Sequence, residues 1–334
     1  MADRNDQDRA DKADATDATD ATDATDAAET EGTRSTADVY ALLADETRVD
    51  ILGTLHDGPL ETPVSFSTLY EHVDADDTAG FNYHLDRLTP QFVAKREAGY
   101  ELSAAGRRLA RAITAGVYTE VPRIDPFDVE GRCYACDAEA LRGTYEDEQF
   151  NIECAACGEL VLGVRVPPTL ARGRTPEEFV AAFEEWSRFQ TDQAHRGLCP
   201  DCGGAVDASV IEDVHETVPF EAVVAYDCTV CGRRAMTSFG SVAAFHPEVR
   251  EFHEARGATL RDRPYWEIDQ FVTGEHVEVR SRDPWRVRVS FFADGDACRV
   301  ELDGDCTVVD VAVESDVVES DIVESEGVAD ETSN

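Results

Sequence analysis

Four Cys-x-x-Cys pairs constrain what this chain can fold into more than any other feature. Cys133-Tyr-Ala-Cys136 is followed after 17 residues by Cys154-Ala-Ala-Cys157, and Cys199-Pro-Asp-Cys202 is followed after 25 by Cys228-Thr-Val-Cys231. Each pair makes a tight turn presenting two thiolates to one metal ion, and two such turns on neighbouring hairpins complete a tetrahedral site. In sequence order the quartets are Cys133, Cys136, Cys154, Cys157 and Cys199, Cys202, Cys228, Cys231. Crossed pairing between them is the alternative. Glycine follows Cys157, Cys202 and Cys231, which suits the positive φ that such turns need. Two structural Zn2+ per chain are therefore expected. A redox role suits a lone pair better, and a disulfide framework is foreign to a large intracellular chain.

A four-cysteine site has no open coordination position, so scaffolding is its first role and sensing of metal or oxidant by ligand loss its second. The same closure argues against a zinc enzyme. No Gly-rich phosphate loop, nucleophile elbow or His-rich motif accompanies the cysteines, and no catalytic residue is expected. The segments YEDEQFNIEC and SVIEDVHETVPFEAVVAYDC between the pairs read as strands. Between the quartets, residues 175–196 read as one helix, with Thr175 and Glu178 as a capping box and Phe179, Phe183 and Trp186 on one face. That helix is expected to pack against both ribbons. His195 lies outside the quartets and is not expected to be a ligand.

Further on, HPEVREFHEARG reads as a helix ended by Gly257, and the segment from Arg263 to Val311 as a β-meander. Asp303-Gly304 is read as a two-residue hairpin turn, which would set Cys298 opposite Val309 and Cys306 opposite Glu301. On that register the two remaining cysteines are small core residues rather than a third site.

Charge sets the solvent in which all this must work. Asp and Glu number 70 against 30 Lys and Arg, a formal net charge of −40, and only Lys12 and Lys95 are lysines. Acidity spread along a lysine-poor chain reads as a surface for concentrated salt, where the Debye length falls to about 3 Å at 1 M and remote charges are screened. Residues 1–35, built on Asp-Ala-Thr repeats, and 313–334, with VESDVVESDIVESE, read as disordered acidic tails. No run approaches a membrane span and no apolar leader opens the sequence, so a cytoplasmic protein is expected.

Residues 36–118 are helical in pattern with one hairpin. Asp45 caps DETRVDILGTLHDG, Ser65 or Ser67 caps SFSTLYEHV, and the turn DADDTAG leads into FNYHLDRL. Helical geometry turns Phe81, Leu85 and Leu88 inward and Asn82, Tyr83, Asp86 and Arg87 outward, with His84 at the edge. FVAKREAGYEL then reads as a small hairpin with Lys95 and Arg96 near its tip, and Ser103 caps a last helix. From Thr78 to Gly116 six basic residues face three acidic ones, a slightly positive segment inside an acidic chain.

LLADETRVDILGTL, FNYHLDRL and GYELSAAGRRLARAI resemble the winged helix-turn-helix of ArsR-like transcription regulators, in their haloarchaeal variety. The resemblance covers about 80 residues; YWEI and DPWRVRV resemble the C-terminal part of the same regulators. It implies that FNYHLDRL is a recognition helix and that the first and last helices of the domain form a dimer interface. The expected contacts to double-stranded DNA are Thr78 at the helix start, Asn82, Tyr83 and Arg87 on the helix, and Lys95 and Arg96 on the wing.

The whole chain then reads as α+β. It comprises a winged helix (36–118), a region of two four-cysteine, zinc-ribbon-like modules (127–250), and a helix plus β-meander (251–312) between acidic tails. The expected function is a homodimeric, DNA-binding transcription regulator; any small-molecule effector, and the role of residues 251–312, are not read from the sequence. The alternatives are a basal-transcription-factor-like adaptor, a zinc-stabilised protein-interaction module, and a metal- or redox-sensing regulator.

Overall fold

The structure, a computed structural model, describes residues 35–58, 63–212 and 219–317. The expected tails, apart from Ser35 and residues 313–317, lie outside the described residues. So do Lys12 and part of the expected strand segment between Ser209 and Cys228. The architecture is α+β with several small antiparallel sheets, and contacts divide the chain into two units, Met1–Ala110 and Arg111–Asn334.

The first unit begins with α1 (Thr36–Ala41), α2 (Glu46–Asp57), α3 (Phe66–His72) and α4 (Thr78–Leu88). Each starts where a short polar side chain accepts a first-turn N–H: Ser35 from Asp38, Asp45 from Arg48, Ser65 from Thr68, and Asp77 from Gly80. Ser65, not Ser67, is the cap of α3. The strands β1 (Val93–Arg96) and β2 (Gly99–Leu102) pair antiparallel, and α5 (Ala104–Thr114) follows. Ile51, Leu52, Leu69, Phe81, Leu85, Leu88 and Val93 are fully buried and form the centre of this unit.

Gly106 shows how tightly α5 is seated. A Cβ there would stand 2.0 Å from the Phe92 carbonyl oxygen, which also accepts the Ser103 N–H. Gly106→Ala is expected to lower the stability of this unit by about 1–3 kcal/mol, because backbone, not a mobile side chain, must give way. Thermal unfolding of the variant at the wild type's midpoint would count against so close an approach.

In the second unit, β3 (Ile124–Val129), β4 (Leu141–Glu146), β5 (Gln149–Cys154) and β6 (Leu160–Arg165) form an antiparallel meander in chain order. The short α6 (Pro168–Ala171) leads to α7 (Pro176–His195), which opens on the expected capping box of Thr175 and Glu178. A second sheet follows, with β7 (Val206–Ile211), β8 (Val223–Cys228) and β9 (Arg234–Thr237). Then come α8 (Phe239–Ala243), α9 (Pro247–Glu254), 3-10 turns at Leu260–Asp262 and Tyr265–Glu267, and α10 (Asp269–Val272). The last sheet is β10 (Val277–Arg282), β11 (Trp285–Ala293), β12 (Asp296–Asp303) and β13 (Val308–Glu314), again in chain order.

Two apolar cores fill this unit. In the first, Phe150 meets Phe179 and Phe183 of α7 edge-on, with ring centroids 4.9 and 5.0 Å apart. Trp266, Ile268, Phe271 and Val272, far along the chain, complete the same core, and the Trp266 indole donates to the Glu130 carbonyl at 2.9 Å. The second core joins β8, α8 and α9 to the inner face of β11 and β12, and Ala194 near the end of α7 belongs to it. One helix therefore contributes to both cores: the expected face of Phe179, Phe183 and Trp186 fills the first, and Ala194, not among those residues, reaches the second.

The C-terminal region departs from the sequence expectation in three ways. The start of the expected meander, including YWEI, is a 3-10 turn and α10 rather than strand. The two-residue hairpin turn is at Asp294-Gly295, where both residues have positive φ, 52° and 80°, and Ala293 pairs with Asp296. Around Asp303-Gly304 the connection is longer, because the Asp303 carboxylate accepts from the N–H groups of Asp305 and Thr307 and rounds the chain into a side-chain-closed loop. Cys298 accordingly pairs with Val313, not Val309, and Glu301 with Asp310, while Cys306 sits in the loop at φ 59°. Both cysteines are buried in the second core. Val313 and Glu314 belong to β13 rather than to a tail.

Candidate metal centres and nucleic-acid interface

The cysteines gather as the sequence order implies, not crossed. Cys133, Cys136, Cys154 and Cys157 form one cluster and Cys199, Cys202, Cys228 and Cys231 the other, with the sulfurs of each cluster within 4.8 Å of one another. The four turns are built alike. The first cysteine's N–H donates to the carbonyl five residues on: Cys133 to Ala138, Cys154 to Glu159, Cys199 to Gly204, Cys228 to Arg233. The residue four on donates back to the first cysteine's carbonyl in every case. That residue has positive φ: Gly158 at 81°, Gly203 at 75°, Gly232 at 73°, and Asp137 at 58°. Asp137 holds the left-handed position without being glycine, a place aspartate tolerates better than most residues.

The first cysteine of each pair is buried and the second exposed, so each centre lies at the edge of its core. Between pairs, Cys133 Sγ stands 3.7 Å from Cys157 Sγ and Cys136 Sγ 3.6 Å from Cys154 Sγ. The corresponding distances in the second cluster are 3.7 Å (Cys199–Cys231) and 3.5 Å (Cys202–Cys228). Four sulfurs about 2.3 Å from one ion stand about 3.8 Å apart at the corners of a tetrahedron, so the spacing fits a single metal in each.

The electrostatics of each cluster are divided: burial raises the Cys133 thiol, and sulfur neighbours and burial raise Cys136, Cys202 and Cys231, whereas backbone N–H groups favour thiolate at one cysteine of each cluster. The Cys157 backbone N–H, with that of Ala156, holds the Cys154 thiol down to about 7. Those of Cys231 and Val230, the latter 3.4 Å from the sulfur, hold Cys228 down to about 6. Each cluster can therefore bind one metal ion, two per chain, with no position left over for a substrate. His195 is engaged elsewhere: its Nδ1 lies 3.2 Å from the Tyr226 hydroxyl, and burial lowers its pKa.

The residues expected to meet DNA sit on the surface of the first unit. Phe81, Leu85 and Leu88 bury one face of α4, and Thr78, Asn82, Tyr83, Asp86 and Arg87 are exposed on the rest. Lys95 and Arg96 are exposed at the end of β1. Arg96 Nε is 2.7 Å from Glu101 Oε1, while the Lys95 ammonium lies 5.7 Å from the centre of the Tyr100 ring.

Three features of this surface escaped sequence reasoning. His84 Nδ1 lies 3.2 Å both from Asp45 Oδ1 and from an Arg48 guanidinium nitrogen, so the cap of α2 also ties down the middle of α4. Asn82 Nδ2 donates to Asp86 at 3.0 Å. The Asp77 carboxylate accepts the Gly80 N–H at 2.7 Å, so an anion already occupies the start of α4, beside the expected DNA contact Thr78. The Asp77-x-x-Gly80 spacing carries the signal for that cap.

Among the described residues no helix is long and apolar enough to cross a membrane. Residues 36–113 match the family described as Domain of unknown function (DUF7347). Neither curated proteins nor solved structures gave a match. Over residues 130–308, more than half its length, the chain matches the family described as Domain of unknown function (DUF7351), and it belongs to that family.

Proposed function

We propose that this chain is a DNA-binding transcription regulator. In this reading residues 36–118 form an ArsR-like winged helix, α4 enters the major groove, and β1 and β2 make the wing. The observation that carries it is the two-sidedness of α4: an apolar face fully buried, and an outer face on which Asn82, Tyr83 and Arg87 are exposed. Asn reads adenine and Arg reads guanine or phosphate by paired hydrogen bonds, and Tyr can donate to phosphate. Lys95 and Arg96, exposed at the hairpin end, supply backbone contacts. In concentrated salt counterion release contributes little, so groove contacts carry more of the affinity. Zn2+ is the proposed metal in both centres, because four thiolates in a closed tetrahedral spacing match its preference. Its role here is to hold the second unit folded.

A second reading has its own support. Asp74, Asp76 and Asp77 precede α4, and Asp86 sits on its outer face. That acidity suits a zinc-stabilised module whose α4 meets a basic protein.

Selection of duplexes from a random-sequence library in molar KCl, followed by titration, separates the two. The full chain is expected to enrich one motif. The double variant Asn82→Ala/Tyr83→Ala is expected to bind it about tenfold to a hundredfold more weakly, with unchanged metal content. No enriched sequence, or equal affinity of the variant, would overturn the DNA reading and leave the protein-binding one.

A further inference from the structure

We propose that β13 is a pairing edge for β13 of a second copy, giving a symmetric dimer contact in the second unit. The C-terminal sheet ends on β13, and among the described residues no strand pairs on its outer side. Natural sheets blunt such edges with charged residues, lysine above all, with proline or with bulges. The opposite edge, β10, does so: it is bulged after Val279, and its Arg280 and Arg282 are held in ion pairs with Glu278 and Glu212. β13 reads VVDVAVE, with no basic residue and no proline; its charges are Asp310 and Glu314, and its one bulge is at Val309, leaving Asp310–Glu314 in regular register. Val309 and Val313 on it are 46% and 52% exposed, the only large apolar side chains of this sheet left so open among the described residues.

Symmetry, charge and the covering of both exposed valines together select one register. Two antiparallel copies of one strand related by a two-fold axis through the sheet keep their faces aligned only when the axis passes a residue paired with itself. An axis at Asp310 sets two aspartates against each other. An axis at Ala312 sets Asp310 against Glu314, and one at Val313 sets Asp310 against Asp316. With the axis at Val311, Val311 meets its own copy, Val309 meets Val313, Asp310 meets Ala312 and Val308 meets Glu314. No like charges then stand opposite, and both exposed valines are covered. The occupant that fits this edge is therefore the chain itself, independently of what α4 binds.

The test uses the full, metal-loaded chain in high salt, with amide hydrogen exchange of residues 308–314 read beside sedimentation. Ala312→Glu sets a carboxylate against Asp310 of the other copy, twice per dimer. It is expected to weaken this contact roughly tenfold and to speed exchange along β13. The double variant Asp310→Lys/Ala312→Glu sets opposite charges there instead and is expected to restore both readouts. Exchange along β13 that is identical in wild type and Ala312→Glu, or a wild type that sediments as a monomer, overturns the proposal. So does a double variant no better than the single one, which would mark local damage to the strand. A dimer held elsewhere in the chain leaves the exchange readout intact.

Discussion

Stripping the metal with a strong chelator will unfold the second unit. A structural zinc site contributes on the order of 10–16 kcal/mol of apparent binding free energy near neutral pH, against a typical domain stability of about 5–15 kcal/mol. Two such sites exceed what the apolar cores can hold alone, and Cys133 and Cys154 are themselves part of one core. The purified chain is expected to carry two zinc ions by elemental analysis, and its β-sheet circular dichroism to collapse when they are removed. The two kinds of ligand should differ. Cys154→Ser places a hydroxyl in a fully buried position held by two backbone N–H groups, whereas Cys157→Ser alters an exposed one. The first is expected to cost more stability than the second. Fewer than one ion per chain, or circular dichroism indifferent to the chelator, would sink the structural role.

Acid should destabilise the second unit through one histidine. His253 of α9 is 5% exposed, lies edge-on to Phe252 and Phe291, and its buried Nε2 has no hydrogen-bond partner among the described residues. Burial first, then the nearby Arg263 and Arg256 charges, lower its pKa from 6.5 to about 4. The folded state thus takes up the proton less readily than the unfolded one. Its contribution is undiminished above pH ~6.5, falls between that value and ~4, and amounts to about 3 kcal/mol across the window. Protonation of the metal thiolates in the same range affects wild type and His253→Phe alike, so the difference between their denaturation midpoints isolates the imidazole. A variant that loses stability with falling pH as steeply as wild type would remove His253 from the account.

Local chemistry was the legible part of this fold. Asp45, Ser65 and Thr175 cap the helices they precede, because capping needs only a side chain and a neighbouring N–H. The quartets assemble in sequence order because each Cys-x-x-Cys turn closes on itself and each pair of turns is joined by its own hairpins. What failed was choice among equal signals. Asp-Gly occurs at both ends of β12, and only one of the two makes the two-residue turn. The other is diverted by hydrogen bonds from the Asp303 side chain, which no pattern of apolar residues announces. Long-range packing was also hidden. Nothing near Trp266 says that it fills a core begun at Val129. On α4 the apolar spacing alone separates the buried face from the exposed one, whereas the carboxylate at its start is signalled only by Asp77 standing three residues before Gly80.

The passage of α7 through two cores bears on how such a protein can be inherited. A ribbon that closes its own core can be copied, moved or lost as a cassette. Here Phe179 and Ala194, on one helix, belong to different cores, and residues 266–272 return to complete the earlier one. Neither metal centre is a transferable module, so duplication or loss of a single ribbon would leave half a helix without a partner. Selection is thereby bound to keep the pair together.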